Sequence, residues 1–101
     1  METVNRISND SLGNIPLCFV YIICSEKGFY YCGISNDITK RLLQHNKGLN
    51  VSTRHQKGYV IKFLKLLKSR KEAHRMEQQI KNRGVERWYR KYYYDNRGKL
   101  I

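Results

Sequence analysis

Two apolar stretches joined by a short polar loop set the strongest constraint on how this chain can fold. Residues 19–24 (FVYIIC) and 29–34 (FYYCGI) are rich in β-branched and aromatic side chains, which favour strands. The loop Glu26-Lys27-Gly28 ends in a glycine, as three-residue hairpin loops commonly do, because this position takes a left-handed backbone. The sequence therefore predicts an antiparallel β-hairpin.

The length of this loop also predicts the register of the hairpin. Closing the chain at Gly28 places Tyr21 opposite Gly33. The same register places Ile23 opposite Tyr31. The two tyrosines are then diagonal neighbours on one face of the sheet, and the missing side chain of Gly33 leaves room beside them.

Capping residues and hydrophobic spacing predict the remaining elements, which make this an α+β fold with a small three-stranded, mainly antiparallel sheet flanked by helices. Residues 1–16 are turn-rich and are predicted to be a loose N-terminal segment, and residues 17–101 to be a single domain. The predicted elements after the hairpin are a helix near 37–46, a polar loop or short helical turn at 49–58, a strand at 59–67, a helix from 69 to about 82, a helix after Gly84 with Val85, Trp88, Tyr89 and Tyr92 on its packed face, and a final turn at 95–98.

The charge of the chain indicates the kind of partner it binds. It carries 20 Lys and Arg against 8 Asp and Glu, a formal net charge of +12. Residues 62–91 alone hold 11 of these basic side chains. Such an excess suits a polyanion, with nucleic acid first and an acidic membrane surface second, although the bland interpretation is a solvated helix surface.

The polar first residues and the pattern of cysteines predict an intracellular protein. The polar first residues have no apolar stretch typical of a signal peptide, and no segment approaches the roughly 20 apolar residues that span a bilayer. Cys18, Cys24 and Cys32 lie in apolar runs without metal-site spacing, so we expect buried, reduced thiols. A zinc site that combines them with His45 is the alternative.

A glutamate occupies a helical position that otherwise belongs to the core. Ser69 and Glu72 form a capping-box pattern, which predicts that a helix begins there. Ala73 and Ile80 mark its apolar face, and Glu77 falls within the same arc. Burying a carboxylate is costly unless a cation or hydrogen bonds compensate it, so Glu77 is either a salt-bridge residue or a functional one.

Together these positions resemble the GIY-YIG nuclease family, in its compact stand-alone branch. The two name motifs stand here as Phe19-Val20-Tyr21 and Tyr31-Cys32-Gly33, with Phe19 in place of a glycine and Cys32 in place of an isoleucine. The similarity covers roughly residues 18–82. It extends through the helix with Arg41 and His45, the Ser52-Thr53-Arg54 segment and the helix that carries Glu77.

The resemblance implies a metal-dependent DNA endonuclease that leaves 5′-phosphate and 3′-hydroxyl ends. It implies that Glu77 holds one divalent metal, Mg²⁺ or Mn²⁺, and that Arg41 contacts the scissile phosphate. One of the two tyrosines, preferably Tyr21, would activate water with help from His45. A phenol needs a nearby cation to lower its pKa for this role, and Arg41 and the metal are the candidates.

The same hypothesis assigns the basic surface to the DNA backbone. Three elements are expected to bring the site residues toward one face of the sheet, next to a basic track that grips phosphates without reading sequence. Cleavage should therefore be structure-directed or weakly sequence-specific, as in DNA repair or recombination. His55 and His74 are interpreted as surface residues, and the phosphate contacts are assigned to Lys40, Arg54, Arg70, Arg75 and Lys81.

Other functions remain compatible with these residues. A nucleic-acid-binding module on the same fold would bind DNA without cutting it. Association with a membrane surface through the last basic helix is a weaker alternative, because the aromatic residues of that helix are also expected to close the core. Nothing in the sequence indicates an obligatory protein partner or fixes the oligomeric state.

Overall fold

Three strands and three helices form the part of the chain that a computed structural model of the protein describes, residues 17–97. The N-terminal segment predicted for residues 1–16 lies outside these residues, as does the last residue of the turn predicted at 95–98. The α+β class predicted from sequence is confirmed. The elements are β1 (Cys18–Cys24), β2 (Tyr30–Ser35), α1 (Ile38–Asn46), β3 (Val60–Leu67), α2 (Arg70–Arg83) and α3 (Val85–Asn96).

The strands pair in the antiparallel order β2-β1-β3, and the predicted hairpin register is confirmed. Tyr21 pairs with Gly33 and Ile23 pairs with Tyr31. The turn that fixes this register has Gly28 at φ 91°, a left-handed conformation that glycine adopts without a steric cost. Tyr21 of the central strand β1 therefore lies on the same face of the sheet as Tyr31 of β2.

Different helices cover the two faces of the sheet. Side chains alternate along β1, so Val20 and Ile22 lie on one face and Tyr21 and Ile23 on the other. The Ile22 face packs against α2 and α3, and the Tyr21 face packs against α1. The cluster on the Ile22 face comprises Cys18, Val20, Ile22, Cys32, Phe63, Ala73 and Ile80, and the cluster on the Tyr21 face comprises Tyr21, Ile23 and Tyr59 with Phe29, Tyr31, Ile38 and Leu42 at its margin.

Trp88, Tyr89 and Tyr92 of α3 pack against the core, as the sequence predicts. The Phe63 ring of β3 meets Trp88 edge-on, with ring centroids 5.0 Å apart, and Trp88 stacks on Tyr92 at 5.5 Å. Such aromatic contacts add to the burial of apolar area. Val85, Trp88, Tyr89 and Tyr92 all pack against the cluster on the Ile22 face.

The termini of α2 follow the sequence, whereas the end of α3 does not. The Ser69 hydroxyl accepts a hydrogen bond from the backbone N–H of Glu72 at 3.1 Å, which is the predicted cap. The turn predicted to begin at Asp95 is wrong, because α3 continues to Asn96. Two local contacts extend the helix: Lys91 pairs with Asp95 at 3.0 Å, and the Asn96 amide donates to the Tyr92 carbonyl at 2.9 Å.

The cysteines are buried and unpaired, as predicted. Cys18, Cys24 and Cys32 are 1%, 7% and 0% exposed, and none forms a disulfide. Burial, together with the nearby Glu77, raises the pKa of the Cys32 thiol to about 12, so the thiol stays protonated. Within residues 17–97, no helix has the length and apolar character needed to cross a membrane.

Candidate active site

The two motif tyrosines lie side by side over the glycine of the second motif. Tyr21 is 1% exposed and Tyr31 is half-buried, and their ring centroids are 6.5 Å apart. A Cβ atom on Gly33 would lie 2.5 Å from the Tyr21 hydroxyl oxygen and 2.7 Å from the ring carbon that bears it. Because the buried ring cannot move aside easily, the Tyr21 hydroxyl holds its position only if residue 33 is a glycine.

The Tyr21 hydroxyl is hydrogen-bonded to a buried histidine. The hydroxyl oxygen lies 2.8 Å from Nε2 of His45, which is 0% exposed. On the other side of the ring, Nδ1 lies 2.7 Å from Oγ1 of Thr53, also 0% exposed. Both ring nitrogens are thus engaged, and neither is directed at a cysteine thiol as a zinc site would require.

The segment between α1 and β3 positions Thr53. The Tyr59 hydroxyl donates to the Thr53 carbonyl at 2.9 Å, and the Asn46 side chain bonds the backbone of Tyr59 at both its N–H and its carbonyl. This packing buries Thr53 in a stretch that the sequence predicts only as a polar loop or turn. Thr53 was not predicted as a site residue, although the family resemblance extends through the Ser52-Thr53-Arg54 segment.

Electrostatics keep the histidine neutral and the phenol protonated. Burial lowers the pKa of His45, and the charge of Arg41, one helical turn earlier, lowers it further. Burial raises the pKa of Tyr21 above its usual range, and Tyr31 raises it further, whereas Arg41 lowers it. The protein groups therefore do not produce the depressed phenol pKa expected from the sequence, because burial outweighs the effect of the guanidinium.

Glu77 is buried in the predicted arc and has partners on both oxygens. It is 8% exposed, between Ala73 and Ile80 at 0%. Oε2 lies 2.9 Å from Nζ of Lys81, and Oε1 lies 3.2 Å from Nδ1 of His74. The salt bridge expected as the alternative to a functional role for Glu77 is therefore present.

Lys81 links Glu77 to the tyrosine side of the sheet, and the convergence of all site residues on one face stays a prediction. Helix α2 packs on the Ile22 face, opposite Tyr21 and Tyr31. Its inward arc includes Glu77 together with the core residues Ala73 and Ile80. Lys81 connects the two halves, because its Nζ pairs with Glu77 and lies 5.8 Å from the centre of the Tyr31 ring. The site therefore straddles strand β2.

The structure places the predicted DNA-binding side chains in different parts of the surface. Lys81 lies at the cleft between Glu77 and the Tyr31 ring. Arg70 lies on the same side of α2, because positions 70, 74, 77 and 81 form one helical stripe. Lys40 is exposed on α1, next to Arg41 in the chain. Arg54 lines a groove beside the hairpin loop with Glu26, and Arg75 lies on another side of α2, near Leu67.

The carboxylate oxygens of Glu77 suit one hard divalent cation. In the described range no group of three His, Cys, Asp or Glu side chains could hold a metal ion by itself. Mg²⁺ commonly binds through one or two carboxylates and takes its other ligands from water and substrate phosphates. A single buried carboxylate beside a basic cleft suits that mode, whereas a two-metal centre needs several converging acids.

Comparison with known families assigns the chain to a class of nuclease domains. A family model described as the GIY-YIG catalytic domain matches residues 17–93. The chain therefore belongs to the GIY-YIG family, which confirms the resemblance carried by the motifs around Tyr21 and Tyr31. No solved structure gives a significant match to the chain.

The relatives found are bacterial proteins named UPF0213 protein. One from Nitratidesulfovibrio vulgaris is 33% identical over 69 residues, which cover 67% of this chain and 63% of that protein. One from Serratia proteamaculans is 32% identical over 68 residues, covering 66% of this chain and 67% of the relative. One from Desulfotalea psychrophila is 31% identical over 83 residues, covering 80% and 72%. Their names state no activity.

Proposed function

We propose that this protein is a metal-dependent DNA endonuclease that hydrolyses phosphodiester bonds and leaves 5′-phosphate and 3′-hydroxyl ends. The observation that carries the proposal is the buried hydrogen-bonded series from Tyr21 through His45 to Thr53, which lies beside Arg41 and the more exposed Tyr31. The Tyr21 and Thr53 side chains satisfy both nitrogens of this fully buried ring. As a path for a proton, the series has a clear use.

The proton path explains how a phenol of raised pKa can take part in water activation. In the tautomer in which Nδ1 donates to Thr53, Nε2 accepts the hydrogen bond of the Tyr21 hydroxyl. The phenol oxygen can then take a proton from water while its own proton passes to His45, and no free phenolate is formed. Burial and Arg41 lower the pKa of His45, which keeps the ring neutral before the step and makes it a weaker base in the step.

Charge on the phosphate would be offset from both sides of the cleft. Arg41 can donate two parallel hydrogen bonds to phosphate oxygens, which a lysine cannot do. Lys81 supplies a second cation near the Tyr31 ring. Glu77 would hold one Mg²⁺ or Mn²⁺, which when bound offsets charge on the phosphate and on the departing oxygen.

The surface supports recognition of DNA shape over sequence. The basic side chains of α1 and α2 suit phosphates, whose contacts fix position but carry no sequence information. We therefore propose branched or single-stranded DNA as the preferred substrate, in repair or recombination.

The test is cleavage of a panel of flaps, four-way junctions, single strands and duplexes, with and without Mg²⁺ or Mn²⁺. Glu77→Gln and Arg41→Ala should each lower the cleavage rate about a hundredfold or more, with thermal unfolding close to that of the parent protein. Glu72→Gln, an exposed acid on the same helix, and Arg87→Ala, an exposed arginine on α3, are the matched controls. Resealing of nicked products by a DNA ligase tests the predicted ends. Full cleavage by either site variant would contradict the proposal.

One observation favours a second function, a non-catalytic DNA-binding module. Both oxygens of Glu77 already have partners in the protein, so the burial of this acid is explained without a metal. Such a module would bind the same DNA panel in a salt-sensitive manner and cut none of it with any divalent metal. The cleavage panel separates the two functions directly.

A further inference from the structure

We propose that His74 is a second protein ligand of the divalent metal at Glu77, which gives this cleft a mixed nitrogen and oxygen donor set. The inference rests on the proposed metal-dependent function and deepens it. His74 is interpreted from sequence as a surface residue, and its side chain is indeed 62% exposed. Its ring nevertheless points along α2 to the buried carboxylate.

The spacing of the two donor atoms matches that of neighbouring ligands on one ion. Nδ1 of His74 and Oε1 of Glu77 are 3.2 Å apart. Two ligands at about 2.1 Å from a metal, at right angles to each other, are about 3.0 Å apart. A cation can therefore enter between these atoms with little movement of either side chain.

The two oxygens of the Glu77 carboxylate have different partners. Lys81 holds Oε2 at 2.9 Å and so fixes the orientation of the Glu77 side chain. Oε1 faces His74, on the other side of the carboxylate. The charge of the ammonium group is thus separated from the proposed metal position by the carboxylate itself. The exposure of His74 leaves the remaining ligand positions open to water and to phosphate oxygens.

A nitrogen donor changes which metal the site prefers. Carboxylate, carbonyl and water ligands suit Mg²⁺ and Mn²⁺ alike, whereas imidazole favours transition metals. Mg²⁺ also gives up its water ligands reluctantly. The pair His74 and Glu77 should therefore bind Mn²⁺ more tightly than Mg²⁺, by a margin that disappears when the imidazole is removed. The competing explanation is a simple hydrogen bond in which the His74 N–H donates to Glu77.

Pulsed electron paramagnetic resonance of Mn²⁺ added to the full chain at about pH 8 separates these explanations. We expect modulation from a directly bound nitrogen in the parent protein and its loss in His74→Gln. His55→Gln, which replaces another exposed histidine, should retain it. The Mn²⁺ affinity should fall about tenfold or more in His74→Gln, while Mg²⁺ affinity changes little.

The outcomes are distinguishable from those that test the proposed function. If Mn²⁺ binding is lost in Glu77→Gln but the parent protein shows no bound nitrogen, the inference is wrong and the nuclease proposal stands. Mn²⁺ binding that does not depend on Glu77 also overturns the inference. Failure of the nuclease proposal is read separately, from an absence of cleavage across the DNA panel. A nitrogen signal in a protein without cleavage would support the metal site alone.

Discussion

The hydroxyl oxygen of Tyr21 lies 2.8 Å from Nε2 of His45, although 24 positions separate the two residues in the chain. The contact joins the central strand to the last turn of α1. Both side chains are buried, and within the described residues no buried side-chain polar atom lacks a hydrogen-bond partner. Because unpaired buried polar atoms are costly, this contact and the one to Thr53 support each other.

Thr53→Val should lower the cleavage rate while leaving a folded protein. Valine has nearly the shape of threonine but leaves Nδ1 of His45 without a partner, at a cost of about 1–3 kcal/mol. The imidazole then loses the contact that fixes its tautomer, so the pH dependence of cleavage should change shape as well as height. The measurements are thermal unfolding and a pH profile of single-turnover cleavage.

The control for this change is Thr39→Val, an exposed threonine on α1. It should change neither unfolding nor cleavage. A purely structural role for Thr53 would lower stability and leave the pH profile of the remaining activity unchanged, which is the result that would remove Thr53 from the site.

Gly33→Ala should disable the cleft by moving the Tyr21 hydroxyl. The added methyl group would lie 2.5 Å from that oxygen, so the ring must shift and its contact with His45 lengthens or breaks. Overpacking of this kind costs about 1–3 kcal/mol of stability. Cleavage should fall at temperatures where the variant is still folded, as circular dichroism would verify.

Gly28→Ala separates backbone strain from this effect. Gly28 has φ 91° with open space around its Cα, so alanine there strains only the hairpin turn. It should lose stability of about 1 kcal/mol and keep its cleavage rate. Equal loss of cleavage in both variants would show that Gly33 acts only through stability.

Stability should fall in mild acid because of His45. Its pKa is lowered in the folded protein, so below about pH 6.5 the unfolded chain binds a proton that the folded state does not. Stability is therefore complete above that pH and declines as the pH falls through this region. His45→Gln should be less stable at neutral pH but should show a flatter dependence of melting temperature on pH.

The same melting experiment on His55→Gln provides the comparison, because His55 is exposed. It should retain the slope of the parent protein. A slope that survives in His45→Gln would mean that other groups cause the acid sensitivity.

Structural features that depend on residues close together in the chain are predicted correctly from the sequence. Loop length and Gly28 determine the hairpin register, and Ser69 determines the start of α2, so both are confirmed. The burial of Glu77 also follows from helical periodicity. The end of α3 is missed because contacts one turn apart, such as Lys91 with Asp95, extend a helix through residues that commonly form turns.

Relationships between distant segments are not predictable in this way. Thr53 looks like a loop residue until Tyr59 and Asn46 fold the polar segment against His45. The position of Glu77 relative to the tyrosines depends on which face of the sheet α2 covers, and a spacing pattern cannot specify a face. The raised pKa of Tyr21 has the same origin, because it reflects how deeply packing encloses the ring.

The position of the cleft at β2 constrains how this protein can self-associate. In the described part of the chain β2 pairs with β1 alone, so among these residues its other edge has no strand partner. A second copy or an extended peptide that annealed there would extend the sheet beside Tyr31. If the proposed cleavage takes place at this cleft, edge-to-edge assembly would compete with the substrate for it.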